Sequence, residues 1–130
     1  MTYLSPTQQI GHQAEQIARK YLEKKGFTLI TSNYRCYSGE IDLIMLDQDE
    51  IVFVEVRSRA NTRFGSALDT VDAKKINKLI RAATHYLQSK RWLYKKNSRF
   101  DIIAIHSLTD NMQLDWIKNA FTIDQGPDLL

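Results

Sequence analysis

Acidic residues set inside apolar, strand-like runs are the residues of this chain best suited to chemistry. Glu40 and Asp42 fall in Gly39-Glu40-Ile41-Asp42-Leu43-Ile44, and Glu55 and Arg57 in Phe53-Val54-Glu55-Val56-Arg57. Both runs are rich in Ile, Leu, Val and Phe, which fit a pleated, buried surface. The polar stretch Asp47-Gln48-Asp49-Glu50 separates them as a hairpin loop would. A loop of two or four residues pairs Leu46 with Ile51, sets Asp42 opposite Glu55 and Glu40 opposite Arg57, and turns all four to one face. An odd loop without a bulge would send Asp42 to the other face. Two facing carboxylates repel and are costly to desolvate unless a cation stands between them. Hard divalent ions such as Mg²⁺ take oxygen ligands of this kind, and the water on such an ion can attack a phosphodiester. The plainer reading is an exposed sheet face whose acids are partnered by Arg57 or neighbouring lysines.

The elements that must position these groups can be read in order. Residues 6 to 25 have helical periodicity, with Ser5 as cap, Pro6 in the first turn and Gly26 at the stop. Ile10, Ala14, Ile17, Ala18 and Tyr21 make its apolar stripe, and Glu15 lies at the edge of that stripe. A strand over 27–34 and a connector from Arg35 to Gly39 lead into the hairpin of 39–58. A polar loop over 58–70 carries Arg59, Arg63 and Gly65, and its length marks it as mobile or functional. A second helix over 72–89, capped by Asp72, buries Ile76, Ile80, Ala83 and Leu87 and turns Lys74, Lys78 and Arg81 to another side. The run from Lys90 to Lys96 interleaves Trp92 and Tyr94 with basic residues. It could stack bases, but anchoring of a loop to the core is favoured. Strands over 100–108 and 112–121 flank a turn at Asp110-Asn111, and a flexible tail is expected from 122 onward. The order α-β-β-β-α-β-β implies one α/β domain over residues 1–130, a mixed sheet flanked by helices.

Charge is distributed unevenly. Residues 57 to 99 hold 12 of the 18 Lys and Arg but only Asp69 and Asp72 as acids, a balance of +10 within a chain whose net charge is +3. A basic region beside an acidic pair suits a protein that handles phosphates, although a solvated helix face is the ordinary alternative. The single cysteine, Cys36, excludes an internal disulfide and suits a reducing compartment. No apolar stretch approaches the ~20 residues needed to cross a bilayer, and no secretory signal opens the chain. A cytoplasmic protein without a membrane partner is expected. His12, His85 and His106 show no metal-ligand spacing.

Asp42, a short hairpin and then Glu55-Val56-Arg57 resemble the Asp…Glu-x-Lys signature of the PD-(D/E)xK nuclease superfamily, which includes type II restriction enzymes and archaeal Holliday junction resolvases. Over roughly residues 10 to 121 the chain resembles more closely the YraN family of small bacterial proteins, predicted relatives of those nucleases. The matching residues are Gly11, Ala14-Glu15, Asn33-Tyr34-Arg35, Gly39 to Ile44, Phe53 to Val56, Arg59, Phe64-Gly65, Lys74, Ala82-Ala83, Arg99-Phe100-Asp101 and Asn119-Ala120-Phe121.

The resemblance implies a restriction-endonuclease-like core and a metal-dependent endonuclease acting on DNA. Mg²⁺ or Mn²⁺ would be held by Asp42, Glu55, Glu15 and the Val56 carbonyl. Arg57 would contact the scissile phosphate, while Arg59, Arg63, Lys74, Lys78 and Arg81 would bind the nucleic-acid backbone. A homodimer is admitted by the same analogy. One departure matters: Arg57 stands where the family usually has lysine. A guanidinium stays protonated, so Arg57 can clamp a phosphate but cannot act as a general base. The alternative is therefore a non-catalytic nucleic-acid-binding or scaffold protein that keeps the nuclease fold.

Overall fold

The structure, a computed structural model, describes residues 4–59, 71–106 and 112–123. Among them, helix α1 (Pro6–Lys24) precedes strands β1 (Thr28–Cys36), β2 (Gly39–Asp47) and β3 (Glu50–Arg59). Helix α2 (Ala73–Ser89) follows, then strands β4 (Ser98–His106) and β5 (Gln113–Phe121). The strands form one five-stranded sheet in chain order. Neighbours are antiparallel except β3 and β4, which run parallel. Parallel neighbours cannot be joined by a tight turn, and α2 lies in the crossover between them. The mixed α/β class and the element order expected from the sequence are both observed.

Each helix covers one face of the sheet. On one side Leu79, Ala83, Tyr86 and Leu87 of α2 pack with Ile41, Ile44, Phe53, Phe100 and Ile102. On the other, Ala14, Ala18 and Leu22 of α1 pack with Leu43, Met45, Val52, Val54, Ile103 and Ile105. Burial on both faces is why β3 and β4 read as continuous apolar runs rather than alternating ones. The two alanines let α1 sit close to the sheet. Ile10, expected on the apolar stripe, is instead 46% exposed, because the first turns of α1 run past the buried contact.

The ends of α1 are chemically explicit. Ser5 Oγ accepts the backbone N–H of Gln8 at 3.2 Å, and Gln8 Oε1 accepts that of Ser5 at 2.9 Å, a reciprocal cap. At the other end Gly26 takes φ +98, and the N–H of Phe27 donates to Leu22 O at 3.0 Å. That pairing brings two buried apolar side chains together beneath the turn. Helix α2 ends in the same way without a glycine: Arg91 has φ +61, and the Trp92 N–H donates to Leu87 O at 2.8 Å. Trp92 and Leu93 pack against the α2-side core, so they serve as anchors, whereas Tyr94 is 85% exposed.

Strand β1 runs two residues further than expected. Arg35 and Cys36 pair with Glu40 and Gly39 and are strand rather than connector. The β2–β3 turn is Gln48-Asp49, with Gln48 at φ +55, and it gives the anticipated pairing of Leu46 with Ile51. The ladder then runs only as far as Leu43 opposite Val54. Of the polar loop expected over 58–70, Ser58 and Arg59 instead end β3; the rest of it, the turn at Asp110-Asn111 and most of the tail lie outside the described residues.

Candidate active site

The site lies where β2 and β3 part. Ile41 packs on the α2 side and Leu43 on the α1 side, although residues two apart on a regular strand share a face. Alternation is therefore broken at Asp42. There the side chain replaces the ladder: Asp42 Oδ2 accepts the backbone N–H of Val56 at 2.8 Å. The expected pairing of Glu40 with Arg57 does not occur, and the four groups do not share one face. Having parted from β3, the start of β2 stays with β1, and Glu40 Oε1 meets Arg35 Nε at 3.3 Å.

Asp42 faces an open cavity of about 330 Å³ on the α1 side, lined also by Gln8, His12, Glu15, Asn33, Arg35, Glu40 and Val56. Asn33, in the left-handed region at φ +53, sets the end of its side-chain amide 2.9 Å from Glu15 Oε1 and 3.1 Å from Glu40 Oε1, and hydrogen-bonding sense assigns the amide nitrogen to that position. Desolvation raises the Glu15 carboxyl to about 7, with the negative charges of Asp42 and Glu40 adding to the effect and Arg35 opposing it. Glu15 thus lines the same cavity as Asp42, from α1.

Glu55 is buried, with 4% of its surface exposed. Burial raises its carboxyl to about 8, and a hydrogen bond and charge repulsion from Asp42 push the same way. Lys75 opposes the shift: its Nζ lies 3.3 Å from Glu55 Oε2, while Arg57 Nη1 stands 3.7 Å from the same oxygen. Asp42 and Glu55 therefore meet across the seam as expected. Among the described residues, however, no group of three or more His, Cys, Asp or Glu side chains is gathered closely enough to hold a metal ion.

Lys75 was not singled out by sequence reasoning, which named its neighbour Lys74. The helix explains the difference. Lys75 heads the column Leu79, Ala82 and Tyr86, all buried, and so faces the sheet. Lys74, Lys78 and Arg81 form an exposed column, as anticipated. Gly39 approaches α2 closely: a Cβ there would stand 3.5 Å from the Lys78 carbonyl oxygen. Arg59 ends β3, but its side chain, like all of Arg63, lies outside what the structure describes.

On β4, beside Val54, the chain buries an acid in a different way. Asp101 is fully buried and receives Arg99 Nε at 3.0 Å, Trp116 Nε1 at 3.0 Å and the Asn119 N–H at 2.9 Å. Arg99 is itself held by Glu50 at 2.6 Å and Asp47 at 3.1 Å. Hydrogen bonds to charged groups in such a closed network are structural. The Arg99-Phe100-Asp101 and Asn119-Ala120-Phe121 matches belong to this clip and not to the cavity at Asp42.

Fold and site together describe a small α/β protein with an acidic seam opening beside a basic helix. The chain belongs to the uncharacterised protein family UPF0102, which it matches over residues 14–105. It is 47% identical over 119 residues to a UPF0102 protein of Ectopseudomonas mendocina, covering 91% of this chain and 98% of that one. A UPF0102 protein of Coxiella burnetii is 48% identical over 120 residues, with 92% and 98% covered. One from Nitrosococcus oceani is 44% identical over 114 residues, covering 88% and 92%. Among the described residues no helix is long and apolar enough to cross a membrane.

Proposed function

We propose that this protein is a metal-dependent nuclease that hydrolyses phosphodiester bonds in DNA. The observation that carries the reading is the contrast between its two buried acids. Asp101 is neutralised by an arginine and closed off by further donors, as a structural carboxylate is. Glu55 has Lys75 and Arg57 at 3.3 and 3.7 Å, yet burial, reinforced by the neighbouring Asp42 carboxylate, still raises its carboxyl to about 8. Perturbed groups of this kind in a cleft are functional-site candidates.

The donor set fits a hard divalent ion. Asp42, Glu55, Glu15 and the Val56 carbonyl would all offer oxygen ligands of the type Mg²⁺ and Mn²⁺ prefer. Asp42 and Glu55 would hold the ion, and Glu15 would reach it through water. When bound, such an ion supplies Lewis acidity to the phosphodiester and to the attacking water. The remaining work falls to the chain's own cations. Arg57 clamps a non-bridging phosphate oxygen and stabilises the charge that develops there. Lys75 brings to Glu55, from helix α2, the ammonium that the superfamily signature carries two residues after its glutamate. Unlike a guanidinium, an ammonium can give up its proton. Lys74, Lys78 and Arg81 extend a track for the DNA backbone along α2.

A second reading has its own support. Lys75 and Arg57 already give Glu55 two cationic neighbours, which is what a nuclease fold retained for binding alone would need. One experiment separates the two: incubation with branched, nicked and single-stranded DNA in Mg²⁺ or Mn²⁺, alongside Asp42→Asn and Glu55→Gln. Cleavage lost in both variants supports the nuclease. Salt-sensitive, EDTA-insensitive binding without cleavage of any substrate supports the binding protein.

A further inference from the structure

The β1–β2 turn carries Tyr37, which is 95% exposed. The ring is nevertheless supported. It stands edge-on to His85 of α2, with centroids 6.3 Å apart and planes at 89°. His85 Nδ1 is hydrogen-bonded to the hydroxyl of Tyr34, whose ring meets buried Tyr86 edge-on at 5.1 Å. The turn also rests directly on α2, at the carbonyl of Lys78.

His85 belongs to the same exposed column as Lys74, Lys78 and Arg81. That column starts beside Lys75, which touches Glu55, and finishes at the ring of Tyr37. From Lys75 to His85 is roughly 15 Å of helix, at about 1.5 Å per residue. Along β2, Gly39 lies three residues from Asp42, roughly 10 Å of strand. A held but solvated aromatic at the end of a cationic track is the arrangement that binds unpaired nucleotides: the cations follow phosphates and the ring stacks a base. A paired duplex keeps its bases in the stack and gives Tyr37 nothing to receive. An acidic peptide would use the cations but has no planar group for the ring.

We propose that Tyr37 is a stacking platform for an unpaired base, and that the preferred substrate is DNA with single-stranded nucleotides next to the cleavage point. This rests on the nuclease reading and names its substrate class. Stacking of this kind is tolerant of sequence, because every base has a π face.

The test measures affinity of the full chain, in EDTA at low salt, for a duplex, a single strand and a duplex with a single-stranded arm. Tyr37→Ala is expected to weaken the single strand and the armed duplex about tenfold and the plain duplex less than twofold. Tyr37→Trp is expected to keep or improve the first two. Because the ring stands in water, both variants should melt as the parent does. Equal losses on all three DNAs, or none on any, would overturn the platform and leave the nuclease reading standing. No binding of any of the three by the parent protein would overturn both.

Discussion

The carboxylate of Asp42 accepts the backbone N–H of Val56 at 2.8 Å, taking the place of a ladder bond where β2 leaves β3. One residue therefore performs two tasks: it closes the end of a sheet ladder and sets a negative charge against Glu55. Substitutions can separate these tasks. Asp42→Asn keeps an acceptor for Val56 and removes the charge, so it should leave stability unchanged or raise it above neutral pH. Asp42→Ala strands a backbone donor and should cost about 1–3 kcal/mol. Urea denaturation of both variants at one pH checks the difference, and equal losses would deny the hydrogen bond its role.

Stability should depend on pH through Glu15 and Glu55. Both carboxyls are raised, to about 7 and about 8, above the 4.5 usual for glutamate. The folded protein consequently binds more protons than the unfolded chain between those values. Stability should fall as pH rises from about 4.5 to about 8 and level off above. The loss should be on the order of 3 kcal/mol, nearly all of it from buried Glu55, since water screens the more open Glu15. In the proposed metal site, Mg²⁺ or Mn²⁺ would favour the ionised forms and flatten that decline. Melting curves across this range with EDTA and with metal give the comparison. A flat profile in EDTA would contradict the burial argument, and identical profiles would contradict the metal.

Lys75 and Lys74 should behave differently despite being neighbours. Lys75→Ala removes the cation 3.3 Å from Glu55 and should raise that carboxyl further, visible by NMR titration of the glutamate side chain. It should also reduce cleavage by about tenfold or more, an order of magnitude typical for loss of one charge-stabilising group. Lys74→Ala should shift neither the titration nor the turnover of bound DNA and should only shallow the salt dependence of binding.

Arg57→Lys tests the departure from the nuclease signature. If Arg57 clamps phosphate while Lys75 supplies the ammonium, the substitution should hold cleavage within about tenfold of the parent, since the charge remains and only the bidentate geometry is lost. A cleavage assay under single-turnover conditions measures it. Activity that appears only in the Arg57→Lys variant would instead assign the missing function to position 57.

The clip around Arg99 should matter to stability and not to chemistry. Arg99→Met leaves Asp101 buried with its principal charge partner gone, and the expected loss is about 3–5 kcal/mol. Double substitution with Asp101→Leu should recover part of it. Chemical denaturation reads both, and DNA affinity measured well below the melting temperature should be unchanged.

Much of this molecule was legible in its sequence because the signals are local. Ser5, Pro6 and Gly26 bound α1 through backbone groups within one turn, and Asp72 caps α2 by accepting the Lys75 N–H at 2.8 Å. The polar break of even length between two apolar runs brought Leu46 opposite Ile51, because side-chain parity is preserved across such a turn. What the sequence did not contain was where that parity ends. The ladder stops at Leu43 because β2 leaves β3 there and remains on β1, so Glu40 finds Arg35 and not Arg57. Nor could spacing choose between Lys74 and Lys75. Adjacent helical positions differ by about 100° in direction, and which of them meets Glu55 depends on how α2 docks across the sheet. That docking is set by Leu79, Ala82, Ala83 and Tyr86 packing on strands far away in the chain, a relation between distant surfaces that only the tertiary structure decides.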